Sequence, residues 1–170
     1  FIIGFILTRT EYNKAVELHS GRLFGYVLKC LQDSEDAHDI VQDSFEKLWN
    51  NRKLVDFEKA KSWLFTTAHN ALINFAKKKS RMDFYDDNLP ERIVMINNNF
   101  EMKEIVELIT DTLPQIQKSI LLLRDMEGYN YKEISELLNI SEAQVKVYLF
   151  RARRKIKDNL TQFAELHEIA

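Results

Sequence analysis

Charge is the first chemistry this chain displays, and it is unevenly spread. Asp33, Glu35, Asp36, Asp39, Asp43 and Glu46 fall between residues 33 and 46 with no Lys or Arg among them. Residues 77–81 read KKKSR, and residues 151–157 read RARRKIK. The 170 residues sum to −2 at pH 7. A polyanion responds to the local field, however, so the basic runs can hold phosphate while the acidic run repels it. Each run taken alone is equally well explained as a solvated face. Bond-breaking chemistry finds no counterpart in the sequence. His19, His38, His69 and His167 are scattered, and there is no zinc-ligand spacing, Gly-rich phosphate loop or nucleophile motif. The expectation is a binding protein, not an enzyme, with no cofactor, no metal and no small-molecule substrate.

The basic run at 151–157 belongs to a helix whose start is marked. Ser141 and Gln144 form an S-x-x-Q capping box ahead of a helix predicted over 142–163. Asn130 and Glu133 mark the start of a shorter helix over 131–138, and only Asn139, Ile140 and the capping Ser141 separate the two. Two helices joined by so short a turn, the second one basic, have the sequence form of a helix-turn-helix. On the wheel, Val145, Leu149, Ala152 and Ile156 share a narrow arc and would pack on Ile134, Leu137 and Leu138. The opposite arc holds Ala143, Val147, Phe150, Arg151 and Arg154, with Lys146 on its flank. Water is a poor partner for Val147 and Phe150. A DNA major groove suits the set, because Arg and Lys reach guanine edges or phosphates while apolar groups meet thymine methyls. An ordinary helical hairpin with a basic tail would leave that placement of Phe150 unexplained.

Helical periodicity extends over most of the chain. Gly and Pro number only 4 and 2, and the hydrophobic share is 45 %, which favours an all-α protein. Helices are predicted over 12–31, over 34–52 with Ser34 as its cap, and over 58–79. In the second of these, Ala37, Val41, Ser44, Phe45 and Leu48 face inward. Asp36, Asp39, Asp43, Glu46 and Asn50 line the other side, with Gln42 beside them. In the third, Ala60, Leu64, Ala68, Ala71 and Phe75 face inward, while Trp63, Thr66, Asn70, Ile73, Asn74 and Lys77 face out. Trp and Ile among amides suit a surface that stacks unpaired bases, with Lys77, Lys78, Lys79 and Arg81 on phosphates. Burial of Trp63 against the first helix stays open as the other reading. His69 is placed beside this face, as a contact or a spectator.

Residues 82–99, with DFYDDNLP and INNN, break the periodicity and read as a linker with a short helical piece near 92–96. Further helices follow over 101–109 and 114–126, with Pro114 in the first turn and Gly128 as the stop. Cys30 is the only cysteine, which fits a reducing cytosol. FIIGFIL is too short to span a bilayer and lacks the basic flank of a signal peptide; residues 1–9 carry no reading.

The stretch LPQIQKSILLLRDMEGYNYKEISELLNISEAQVKVYLFRARRKIKDNL resembles the fourth domain of extracytoplasmic-function (ECF) sigma factors. The likeness rests on the Leu-Pro start, L-x-x-x-x-G, Y-x-E-I-x-x-L-L, I-S-x-x-x-V-K and F-R-A-R-x-K in that order. DAHDIVQDSFEKLW resembles the family's core-binding helix, and SWLFTTAHNALINFAKKKSR its promoter-melting helix. Residues 10–160 are covered. Departures stand at Asn139, where Gly is frequent, at Gln144, where a small residue or Thr is, and at Thr66, where a basic residue is.

The resemblance implies two small helical domains: a helical bundle over 10–81, joined through the linker 82–99 to a helix-turn-helix domain over 100–170. Asp39, Gln42, Asp43 and Glu46 would dock on the clamp helices of core RNA polymerase. Trp63, Asn70, Asn74, Lys77, Lys78, Lys79 and Arg81 would hold the melted minus-ten element, with flipped bases beside the loop 53–59. Lys146, Val147, Phe150, Arg151 and Arg154 would read the minus-thirty-five element as duplex. The family also implies a cytoplasmic location and an anti-sigma factor, which can be membrane-bound. A stand-alone DNA-binding regulator is the alternative, and it would leave the acidic stripe and the Trp63 face without a role.

Overall fold

The computed structural model describes residues 6–79 and 101–168. Regular structure among them is helical throughout: α1 Arg9–Leu31, α2 Ser34–Asn50, α3 Phe57–Lys79, α4 Met102–Asp111, α5 Gln115–Leu121, α6 Tyr131–Leu138 and α7 Glu142–Glu168. A π-helical turn, Leu122–Met126, continues α5. The chain divides into two compact units, Phe1–Met82 and Asp83–Ala170. The expected linker at 82–99, its short helical piece, Arg81 and the side chain of Lys79 lie outside the described residues.

In the first unit α1, α2 and α3 each pack against the other two. A capping box starts α1 earlier than periodicity alone places it. The Glu11 N–H donates to Thr8 Oγ1 at 3.2 Å and the Thr8 N–H donates to Glu11 Oε2 at 2.8 Å. The bond from the Thr8 N–H, and then one from the Thr8 hydroxyl to the same oxygen at 2.9 Å, favour the ionised Glu11 and hold its carboxyl below the usual range. The cap of α2 is Asp33, not Ser34: Asp33 Oδ1 accepts the Asp36 N–H at 3.0 Å. Both residue types cap well, and a carboxylate also complements the positive end of the helix.

The core collects Leu23, Tyr26 and Val27 of α1, Ile40, Phe45 and Leu48 of α2, and Leu64, Phe65 and Leu72 of α3. Ile40 takes the inward place expected of Val41, which is half-buried, as are Ala71 and Phe75. Because α3 touches two helices, its buried arc is wider than one stripe and takes in Phe65, His69 and Leu72. His69 is therefore not beside an open face. It is fully buried, with Nδ1 3.1 Å from the Tyr26 hydroxyl, and burial pushes its pKa down to about 4.

In the second unit α7 packs on α4, α5 and α6. Pro114 occupies the cap position of α5 instead of its first turn. The single helix expected over 114–126 loosens after Leu121 into the π-helical turn. That turn closes with the Glu127 N–H on Leu122 O at 3.1 Å and ends at Gly128, whose φ of +76° is the left-handed conformation expected of a stop. Ile109, Ile116, Ile120, Leu123, Ile134, Val145, Leu149 and Ala152 form the core. Lys118 is buried beside them, its Nζ 2.5 Å from Asp111 Oδ1. Ile156 is half-buried, and α7 runs past the predicted end near 163 to Glu168.

Candidate functional site

Two hydrogen-bonded boxes set the geometry of α6 and α7. The Glu133 N–H donates to Asn130 Oδ1 at 2.9 Å while the Asn130 N–H donates to Glu133 Oε2 at 2.7 Å. Asn139 ends α6 with a φ of 54°, a conformation Asn tolerates better than most non-Gly residues. The Gln144 N–H donates to Ser141 Oγ at 3.1 Å and the Ser141 N–H to Gln144 Oε1 at 2.9 Å. With the helix phase thus fixed, Val145, Leu149 and Ala152 are buried against Ile134, Leu137 and Leu138. Lys146, Val147, Phe150, Arg151 and Arg154 are all exposed on one face. Phe150 is 64 % and Val147 46 % exposed, so the described residues leave much of their apolar surface uncovered.

Neighbouring charges shape that face further. The Tyr131 ring carries Lys146 Nζ at 5.6 Å and the Arg124 guanidinium at 5.1 Å from its centroid. Arg124 also donates to Tyr129 O at 2.9 Å. Arg153 is tied to Asp125 at 2.6 Å. Arg154 Nε lies 3.8 Å from Asp158 Oδ2, an exposed pair of little strength. The Arg124–Tyr131–Lys146 grouping does not show on a helical wheel, because it joins three successive elements and a wheel describes one helix at a time.

On α2, Asp39, Gln42, Asp43 and Glu46 are all exposed, and Asp36 is half-buried. Glu46 borders Tyr12. Burial, and then this nearby carboxylate, push the Tyr12 hydroxyl above its ordinary pKa, while that hydroxyl donates to Phe45 O at 3.1 Å. On α3, Asn70, Asn74, Lys77 and Lys78 are exposed, and Trp63, Thr66 and Ile73 are half-buried. Trp63 thus meets both readings part-way: some of its ring packs and some faces out. The loop 51–56 between α2 and α3 is well bonded. The Leu54 N–H reaches Asn51 O at 2.9 Å, Val55 is buried, and Asp56 Oδ1 accepts the Lys59 N–H at 2.8 Å. At its tip Leu54 is 84 % exposed. The resemblance points to this loop, as residues 53–59, and singles out no residue on it.

Comparison with known proteins bears on both units. The family described as sigma-70 region 2 matches residues 15–82, and sigma-70, region 4 matches residues 103–156. The ECF RNA polymerase sigma factor SigM of Bacillus subtilis is 30 % identical over 146 residues, spanning 83 % of this chain and 90 % of that protein. The ECF RNA polymerase sigma-E factor of Haemophilus influenzae is 25 % identical, spanning 89 % and 88 %. Among solved structures, the sigma factor RpoE of Bartonella quintana in complex with the anti-sigma factor NepR aligns with a TM-score of 0.71 at 18 % identity. It covers 89 % of this chain and 98 % of that one. The likeness in fold therefore extends well beyond the likeness in sequence.

Proposed function

This chain belongs to the ECF sigma factors of the sigma-70 family, and from that premise we propose how its two exposed charged faces divide the work. As a sigma factor it binds core RNA polymerase and directs it to promoters. The observation that carries the division is the segregation of faces: Asp39, Asp43 and Glu46 beside Gln42 on the open side of α2, cations with Phe150 and Val147 on the open side of α7.

Asp39, Gln42, Asp43 and Glu46 dock on the basic clamp helices of the polymerase, because a carboxylate stripe repels DNA and is complementary to cations. Trp63, Asn70 and Asn74 hold unpaired bases of the minus-ten element, and Lys77, Lys78, Lys79 and Arg81 hold its phosphates. Support comes from the exposed amides and from the part of Trp63 left open on the same helix. Lys146, Val147, Phe150, Arg151 and Arg154 read the minus-thirty-five element as duplex. These roles divide the chain into a second sigma domain over 10–81, a linker over 82–99 and a fourth sigma domain over 100–170.

The protein has no catalytic chemistry of its own; the polymerase supplies the active site. It works in the cytoplasm, where the polymerase is, and among the described residues no helix is long and apolar enough to cross a membrane. An anti-sigma factor is a further proposed partner, supported by the solved complex of the Bartonella relative.

The test is reconstitution with core polymerase. Wild-type protein should confer promoter-specific transcription. Asp39→Lys with Asp43→Lys should weaken core binding by about 2 kcal/mol or more while leaving duplex binding by the second unit unchanged. Equal core affinity in the double variant would remove the docking role of α2. Duplex binding with no response to core polymerase would favour the stand-alone regulator.

A further inference from the structure

The segment ahead of α1 has no place in the charge reading, yet it is built into the first unit. Leu7 lies outside any helix and is 1 % exposed. Its N–H donates to Arg52 O at 2.8 Å, at the second residue of the loop 51–56. The adjoining Thr8–Glu11 box fixes the direction in which the chain then leaves as α1.

From there the first turns of α1 reach both ends of the same loop. Before it, the Tyr12 ring meets Trp49 edge-on, with centroids 5.0 Å apart. After it, Lys14 Nζ lies 5.3 Å from the centroid of the Phe57 ring. Trp49 in turn carries the Arg52 guanidinium at 4.2 Å from its ring centroid, and Arg52 Nη1 donates to Trp49 O at 2.9 Å. Leu7 thus holds the first half of one short loop, while Tyr12 and Lys14 meet the helix ends that flank it. What they leave free is its tip, where Lys53 and Leu54 face solvent.

We propose that residues 6–14 form a brace that sets the position of the loop tip, and that Leu7 is a positioning residue for base selection during strand capture. The inference rests on the reading above that this loop lies beside the flipped bases. Selection between bases depends on contacts that fail with small displacements. Buried Val55 anchors the second half of the loop, and without Leu7 the first half would be held by its own turn bonds alone, leaving a looser tip that accepts more than one base. The anchor at Arg52 removes that freedom without touching DNA. Docking by Asp39, Gln42 and Asp43 is separate from the brace, because they lie on α2 ahead of the braced stretch; Glu46, which borders Tyr12, is the docking residue nearest to it.

The experiment uses the full-length chain assembled with core polymerase. Holoenzymes carrying wild-type protein, Leu7→Ala, Leu7→Met or Asn70→Ala select from one pool of DNA. The pool is duplex apart from a single-stranded stretch randomised across the minus-ten region. Enrichment is counted base by base, and core affinity is measured alongside. Leu7→Ala should flatten the preference at one or two positions by roughly tenfold, leaving core affinity unchanged, and Leu7→Met should restore the preference. Preferences that stay intact in Leu7→Ala, while Asn70→Ala loses strand binding, overturn the brace and leave the strand-capture reading standing. A Leu7→Ala protein that loses core affinity and all binding together, unrescued by Leu7→Met, also overturns it, since that marks a residue needed only for folding. No effect from either Leu7→Ala or Asn70→Ala removes the strand-capture reading, and the brace with it.

Discussion

Single residues on α7 divide into two kinds that the same helix keeps apart. Val145 and Leu149 are buried, whereas Lys146, Val147, Phe150 and Arg151 are exposed. Adjacent positions therefore answer to opposite demands, and substitutions should separate them. Lys146→Ala or Arg151→Ala should cost about 1–3 kcal/mol of promoter binding if the side chain reads a base, with the thermal midpoint of the protein little changed. Leu149→Ala should instead cost about 2–5 kcal/mol of stability by leaving a cavity. Binding isotherms on a duplex promoter, read beside thermal melts, distinguish the two. Arg151→Ala that lowers the melting point and spares binding would place Arg151 in the fold and not on the DNA. This division was legible in sequence because a capped helix has a fixed phase, and Ser141 with Gln144 announced it. His69 was not legible. A histidine at an unmarked helix position looks the same whether it faces solvent or core. Only the packing of α3 against two helices, with the Tyr26 hydroxyl 3.1 Å away, decides it.

Packing between elements explains both what the sequence conveyed and what it withheld. Apolar periodicity located every helix in the described residues, since each must bury one stripe. Two starts moved where capping chemistry, not periodicity, set them, Thr8 with Glu11 at α1 and Asp33 in place of Ser34 at α2, and α5 gave way to a π-helical turn that no side chain caps. The brace at Leu7 was invisible for another reason, as a backbone N–H bonded to a carbonyl 45 positions away leaves no side-chain signature.

The α1–α3 contact also makes a prediction about pH. His69 has an ordinary pKa of 6.5 when unfolded and about 4 when folded. Above pH 6.5 the imidazole is neutral in both states and contributes no slope. As the pH falls from 6.5 towards 4, the unfolded chain takes up a proton that the folded one refuses. Stability should then drop by about 1.4 kcal/mol per pH unit, to a total of about 3 kcal/mol. Both tryptophans, Trp49 and Trp63, lie in the first unit, so their fluorescence during urea unfolding follows this unit alone. Between pH 6.5 and 5, before most carboxylates titrate, the midpoint should fall in wild type and stay nearly flat in His69→Gln. A flat wild-type profile would mean that His69 stays protonated inside the fold.

Two units, each with its own buried core, share one chain. None of the three exposed faces is large: a few carboxylates on α2, a few amides and lysines on α3, and five side chains on α7. Faces of that size give modest affinities when they act alone, and covalent connection changes the arithmetic. Once α2 is docked on polymerase, the α7 face is held near the same promoter at an effective concentration on the order of millimolar for a short connection. Selectivity for the pair of elements then exceeds what either reader has, without any new contact. The consequence can be measured by cutting the chain between the family-matched segments. Residues 1–81 and 100–170, each checked for helicity and added together at micromolar concentration, should bind core polymerase and duplex DNA separately about as well as the intact chain does. Promoter-specific transcription should nevertheless fall on the order of 10²–10³-fold, and it should recover as the 100–170 piece is raised towards millimolar. Full transcription from the separated pieces at micromolar concentration would show that polymerase positions each unit by itself, and that connection contributes nothing to recognition.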